Sequence, residues 1–344
     1  MNKKNLVFIV ITIFILSLFT AYVSGKDAVK IPKKVLKLEK KADKAKNKKD
    51  FDKAIELYKN AIEIFPDYSK VHYKLASIYA FNNKYPEAIK ELKIAKKLDN
   101  SDINTTKALS DTMLKYGNNL LKLRKLKEAN NVYIDMLGID GFSKLFPKLQ
   151  NKMIYRIGLN FFSLKDLKNS EKYLSRFINI ENAENDYPGI FPMANYISGI
   201  NNSTLKNYEL SNKLLKKYIA LKSDDQANKY ISFARYIIAS NDFTVLKPMV
   251  TAIKKTTNRK NIKENKKKIK ALAEKYIEIE TNLKKVIEKA PQIEDAYVIL
   301  GNYYYLKNDT TNCLNIYKTL IEKFPTSKDI DIYKEFLKGI KKSK

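Results

Sequence analysis

The sequence predicts an all-α chain built from stacked helix pairs, and three observations carry that reading. Ala42, Ala54 and Ala61 are echoed 34 residues later by Ala76, Ala88 and Ala95, with Phe51 echoed by Tyr85 and Pro66 by Asn100. A fixed period of this size belongs to arrays of helical hairpins, in which each unit buries its apolar face only against its neighbours. Small and larger apolar residues recur at helical spacing through both blocks, and no stretch alternates at the period of a strand. Finally, only 9 Gly and 9 Pro interrupt 344 residues.

The first block resolves into a helix A over 35–48, a polar turn over Asn47, Lys48, Lys49 and Asp50, and a helix B over 51–64. Phe65-Pro66 ends helix B, because proline lacks the N–H that would continue the ladder. The alanines mark where two helices must approach closely, and the larger residues fill the gaps between. The second block, 69–102, repeats this with Leu75, Ala76, Tyr79, Ala88, Leu92 and Ala95.

Ala42, Ala54, Tyr58, Ala61 and Pro66 together resemble the tetratricopeptide repeat, with Leu38 where that family often has Trp. The same template continues from about 110 (Gly117, Leu120, Ala129, Tyr133), 151 (Ile157, Gly158, Phe161, Ser170, Leu174) and 192 (Gly199, Ser211, Leu215). These starts lie about 41 residues apart, so the hairpins or their connections hold two extra helical turns or short loops. A weaker sixth unit begins near 227 (Phe233, Ala234, Ile237). A seventh, near 260, has Lys267 where a small residue belongs. The last, from about 294, has Leu300, Gly301, Tyr304, Cys313, Tyr317, Leu320 and Pro325, and 328–340 reads as a capping helix. The resemblance implies a right-handed superhelical solenoid of antiparallel pairs. The expected organisation is a leader over 1–25, a linker over 26–34, repeats over 35–253, a basic irregular helical segment over 254–293, a repeat over 294–327 and a cap and tail over 328–344.

The N-terminus has the three-part layout of a secretory leader: a basic Met1–Asn5, an apolar run from Leu6 to Phe19, and small residues at Val23-Ser24-Gly25. Counted to Val23, the run is also long enough for an uncleaved anchor over 6–23. Either reading exports the repeats, to a periplasmic or other extracytoplasmic site or to a membrane-held one. A lone Cys313 excludes an internal disulfide and reads as a small packing residue.

The formal charge is +29, yet arginine occurs only at 124, 156, 176, 235 and 259. Sites that read nucleic-acid sequence favour the arginine fork, so this lysine excess argues against a nucleic-acid partner. It suits anionic envelope polymers or a membrane surface, through a salt-dependent field. The densest stretch holds Lys254, Lys255, Arg259, Lys260, Lys263, Lys266, Lys267, Lys268 and Lys270, offset only by Glu264. It reads as a basic patch or as a solvated insert.

Chemistry is sparse. The one histidine, His72, falls where the repeat wants a large packing residue, and no second His or Cys is available for a zinc site. Gly138 and Gly141 lack the Lys-Ser/Thr of a phosphate loop. No Ser-His-Asp set or carboxylate pair can be nominated. The expectation is a non-enzyme with no cofactor and no metal.

The resemblance also implies that helix A of each pair lines a concave face. That would bring Tyr73, Ser77 and Phe81, then Lys152, Tyr155, Leu159 and Phe162, then Met193, Tyr196 and Ile200, then Val298, Asn302 and Tyr305 into a partner groove. Aromatic anchors in such a trough suit an extended or helical peptide; the same side chains could instead pack between neighbouring A helices. The function expected is a scaffold for protein or peptide partners in a cell-envelope assembly.

Overall fold

The computed structural model describes residues 30–222, 229–256 and 262–342, with only the helical backbone described at 253–256, 262–271, 273, 274, 341 and 342. The leader or anchor expected over 1–25 lies outside the described residues. These residues form helices joined by turns, with no strand among them, and fall into two compact units divided between Leu145 and Phe146.

The first unit contains α1 (Lys33–Asn47), α2 (Phe51–Ile64), α3 (Ser69–Phe81), α4 (Tyr85–Leu98), α5 (Ile103–Lys122), α6 (Leu126–Leu137) and the short α7 (Phe142–Leu145). The second contains α8 (Pro147–Ser163), α9 (Leu167–Ile178), the short α10 (Ala183–Asp186), α11 (Phe191–Thr204), α12 (Tyr208–Leu221), α13 (Lys229–Thr256), α14 (Ile262–Lys289), α15 (Glu294–Leu306), α16 (Thr310–Lys323) and α17 (Ile330–Lys342). Within each unit the successive long helices pack on one another, as a stack of hairpins requires.

The pairs close where the sequence supplies small residues. Ala42 and Ala76 are buried in the first helices, and Gly117, Gly158, Gly199 and Gly301 lie against Tyr133, Leu174, Leu215 and Tyr317 in the second. A Cβ on Gly158 would come within 2.8 Å of the Leu174 side chain, and one on Gly199 within 2.6 Å of Leu215. Three of the tyrosines also tie back to helix A: the hydroxyls of Tyr58, Tyr133 and Tyr317 donate to Asp43 (2.6 Å), Asn118 (2.9 Å) and Asn302 (3.0 Å).

Six of the pairs turn through one left-handed residue: Lys49, Asn83, Arg124, Lys165, Lys206 and Asn308, all with φ between 57° and 66°. At Lys49 its N–H reaches the Lys46 carbonyl while Asp50 N–H reaches back to Ala45, satisfying the last carbonyls of α1. Asp50, Asp166 and Asp309 then cap the second helices by accepting from the N–H of Lys53, Asn169 and Asn312.

The first five turn residues lie 34, 41, 41 and 41 apart. The seven extra residues are used in two ways. In the third pair they lengthen helix A, where α5 has 20 residues against 13 in α3. In the fourth and fifth pairs the connection takes up extra residues through the short helices α7 and α10.

A buried polar ladder accompanies the 41-residue spacing in the second unit. Asn201 on α11 donates to Ser170 Oγ on α9 (2.8 Å), and Asn241 on α13 donates to Ser211 Oγ on α12 (2.9 Å). Ser198 donates to Glu171 (2.7 Å), and Asn212 to Asp242 (2.8 Å). Such pairs reward one register and penalise others, since a slip would bury unpaired amides.

The expected sixth and seventh units are replaced by one hairpin, with α13 and α14 each 28 residues long. No turn follows Ile237, because the apolar stripe runs on through Phe243, Leu246 and Val250, all buried. Pro248 sits inside α13 without ending it. The last helix, α17, packs on the pair before it: Phe336 lies 4.7 Å from the Tyr317 ring, and Tyr333 and Ile340 are buried.

Candidate functional site

A partly enclosed charged site lies on the first-helix faces of the first unit. Glu39 on α1 is only 6% exposed, yet it is fully engaged. Lys74 on α3 donates to it at 2.6 Å, the Tyr68 hydroxyl at 2.9 Å, and Lys70 pairs with it at 3.1 Å. Lys74 also bridges to Asp43, one turn along α1, at 2.6 Å, and Asp43 in turn accepts from Tyr58.

Burial on its own would raise the carboxyl pKa values, but the bonds from Lys74, Tyr68 and Lys70 win, and Glu39 is held below its ordinary value. Asp43 is lowered the same way by Lys74 and Tyr58. Lys74 is raised, its two carboxylates outweighing its burial, and the Tyr68 hydroxyl is pushed up to about 12 by burial and by Glu39. The network therefore carries fixed charges at neutral pH and locks α1 against α3.

In front of this network opens a cavity of about 680 Å³, bounded by side chains of α1, α3, the start of α5 and the two connections between them. Phe65, Tyr68 and Tyr73 give it aromatic wall, while Asp67, Asp99 and Asp102 line it from the two connections. Asp102 caps α5, accepting from Asn104 N–H and Thr105 N–H. Asp99 accepts from Ser101 and is lowered by those bonds.

His72 lies beside this face and is a satisfied core residue, 3% exposed. Its Nδ1 is 2.6 Å from Glu91 and its Nε2 2.8 Å from the Pro66 carbonyl. Both partners only accept, so the doubly protonated ring fits best. Burial opposes that charge, but Glu91 and Pro66 outweigh it and raise the pKa.

The groove residues expected from sequence meet different fates. Tyr73 lines the cavity, half-buried. Phe81 is 70% exposed, its ring 5.1 Å from Phe51. In the second unit Tyr155 is half-buried against Phe177, and Leu159, Phe162 and Ile200 are half-buried on α8 and α11. Tyr196 is 6% exposed, packed 4.9 Å from Tyr218 and 5.4 Å from Tyr230 on α13, so its ring belongs to the core and not to an open face. Tyr305 is exposed beside Phe336 of the cap.

Of the basic stretch, Arg259 and Lys260 lie outside the described residues. The same holds for the side chains of Lys254, Lys255, Lys263, Lys266, Lys267, Lys268 and Lys270, whose backbone falls in α13 and α14. Among the described residues no group of His, Cys, Asp and Glu could hold a metal, and no helix is long and apolar enough to cross a membrane. Cys313 is buried, its thiol pushed up to about 11 mainly by that burial.

The Glu39–Lys74–Asp43 network was not legible beforehand. Its signal, a Glu and an Asp one turn apart on helix A facing a Lys on the next helix A, needs the stacking register to be seen.

Models of the tetratricopeptide repeat match residues 47–109 and 295–327. The solved structures similar to this chain include the C-terminal part of a TPR repeat-containing protein from Cytophaga hutchinsonii, 18% identical over 86% of this chain and 98% of that one, with a TM-score of 0.44. A tetratricopeptide repeat protein from Parabacteroides merdae is 16% identical over 90% and 99%, at 0.31. PilW, a type IV pilus biogenesis factor, is 12% identical over 87% and 97%, at 0.34. No curated protein matches the sequence.

Proposed function

We propose that the chain, which matches tetratricopeptide-repeat models over residues 47–109 and 295–327, is a non-enzymatic, exported scaffold. It docks protein or peptide partners of a cell-envelope assembly on its first-helix faces. The observation that carries this reading is the cavity of about 680 Å³ on the first unit, backed by the Glu39–Lys74–Asp43 network. A docking surface gains affinity when it is rigid before the partner arrives, and buried charges held by several bonds supply that rigidity. Tyr73, on the cavity wall, is the anchor of the type that dominates such interfaces. The export reading rests on the leader pattern of residues 1–25.

The test is a pull-down from envelope extract with residues 26–344 as bait, compared with Tyr73→Ala. Because Tyr73 is half-buried and no hydrogen bond to its hydroxyl is described, the variant should melt within a few degrees of the parent. A partner retained at 0.5 M salt by the parent and lost by Tyr73→Ala supports docking on this face. Partners that disappear between 0.05 and 0.2 M salt, equally for both proteins, support instead a lysine-driven attachment to anionic polymer or membrane.

A further inference from the structure

The chain carries +29, but the wall of the cavity on the first unit holds three aspartates against three lysines. Its three lysines are largely spoken for. Lys74 is shared by Glu39 and Asp43, Lys70 pairs with Glu39, and Lys46 lies in the field of Asp43. Against them stand Asp67, Asp99 and Asp102 on the cavity wall, none within salt-bridge distance of a lysine or arginine among the described residues, although Asp99 lies in the field of Lys96 and Asp67 in that of His72. Counting Glu39 and Asp43 behind the wall, five carboxylates face three ammoniums. Asp67 and Asp99 are exposed, so their charge meets whatever enters. The remaining wall is aromatic, from Phe65, Tyr68 and Tyr73.

We propose that this cavity receives a lysine or arginine side chain from an extended peptide partner, with the aromatic rings taking the aliphatic stem or the planar cation and the aspartates taking the charge. Aromatic faces and carboxylates attract the same kind of group, a weakly hydrated cation on an apolar stem. Neither suits an acidic peptide. The rest of the surface would draw acidic partners in without regard to sequence, while this cavity selects a basic side chain. The proposal rests on the first-helix face of the first unit being a docking surface and gives that surface a specificity.

The experiment uses fluorescent peptides of equal length carrying Lys/Arg, only Ser/Ala, or Glu, titrated by anisotropy against residues 26–344 in about 0.15 M salt, where fields from the distant lysines are screened beyond about 8 Å. The expected result is that the basic peptide binds best. Asp67→Asn with Asp99→Asn should then weaken it by about ten-fold, the loss that two exposed charge contacts of ordinary strength amount to. Binding of the Glu peptide should be unchanged or stronger. Equal binding of basic and neutral peptides, or a double variant that holds the basic peptide as tightly as the parent, overturns the proposal. Tyr73→Ala separates the two levels of failure. If a neutral or acidic peptide binds and is lost in Tyr73→Ala, the docking face stands and the cationic specificity falls; if no peptide responds to Tyr73→Ala, both fall.

Discussion

Glu171 shows how one side chain can be read only from its neighbours. On a helical wheel it is an ordinary glutamate of a second helix. In the fold it stands between α9 and α11, accepting from Ser198 at 2.7 Å, with Asn201 and Asn202 beside it and no ion-pair partner among the described residues. Desolvation is the largest effect and raises its pKa; the hydroxyl and amide bonds oppose this and lose. Asn201 Oδ1 is buried nearby without a donor, a place that a protonated carboxyl, or an amide, can fill. The folded state therefore holds a proton that the unfolded chain gives up near pH 4.3. Stability must fall as the pH rises from that value through the raised folded pKa, and stay low above it. Glu171→Gln keeps the shape, removes the charge and brings a donor. Urea unfolding is expected to show the variant more stable than the parent at pH 7.5, by about 1 kcal/mol, with the gap closing towards pH 4. A variant less stable than the parent at pH 7.5 would mean that Glu171 is ionised and stabilising there. His72 was legible from the repeat as a packing residue; its charge was not, because Glu91 and the Pro66 carbonyl come from different elements.

At the scale of the element, the hairpin was the most legible feature. Its small positions, turn and second-helix start could be placed from Ala42, Asp50 and Ala54, and α2 begins and ends where the sequence indicated. Legibility stopped where the chain departs from a short-range rule. Lys49, Arg124, Lys165 and Lys206 occupy the left-handed region without being glycine, so a search for C-terminal glycines passes over these turns. The long hairpin of α13 and α14 hides behind Pro248, a residue that ordinarily ends a helix. Gly117 gives a prediction at this scale. Alanine is the better helix former by about 1 kcal/mol, but its Cβ would collide with the Tyr133 ring, which cannot swing away while its hydroxyl is held by Asn118. Overpacking of this kind costs roughly 1–3 kcal/mol, so Gly117→Ala should lower stability despite its propensity. Combining it with Tyr133→Leu, the residue that pairs with Gly158 and Gly199, should lose less than the two single losses added together. Additive losses, measured by a double-mutant cycle in urea, would show that the ring and the glycine do not press on each other.

For the molecule as a whole, the number that matters is the charge, and the question is which of two salt effects wins. Salt weakens attractive pairs such as Lys53–Glu56, Lys93–Asp135 and Lys125–Glu128, each more than half exposed on both sides. Pairs of this kind are worth roughly 0–1 kcal/mol apiece, so their screening removes little. Salt also relieves the mutual repulsion of a chain with 66 basic and 37 acidic residues, and that repulsion acts between every lysine and all its neighbours. The Glu39–Lys74–Asp43 network, where Glu39 is buried, is screened far less than either. The balance predicts that thermal stability of residues 26–344 rises between about 0.01 M and 0.15 M sodium chloride, where the Debye length shrinks from about 30 Å to about 8 Å. The rise should level off beyond that, once screening is shorter than the spacing of surface lysines. Ligand-like anions must be kept apart from this effect, so the scan compares chloride with sulfate at matched ionic strength. Equal rises at matched strength identify screening of self-repulsion. A midpoint that falls with chloride would show that the exposed pairs hold more of the fold than their geometry indicates, and a rise confined to sulfate would point to a specific anion site on the lysine-rich surface.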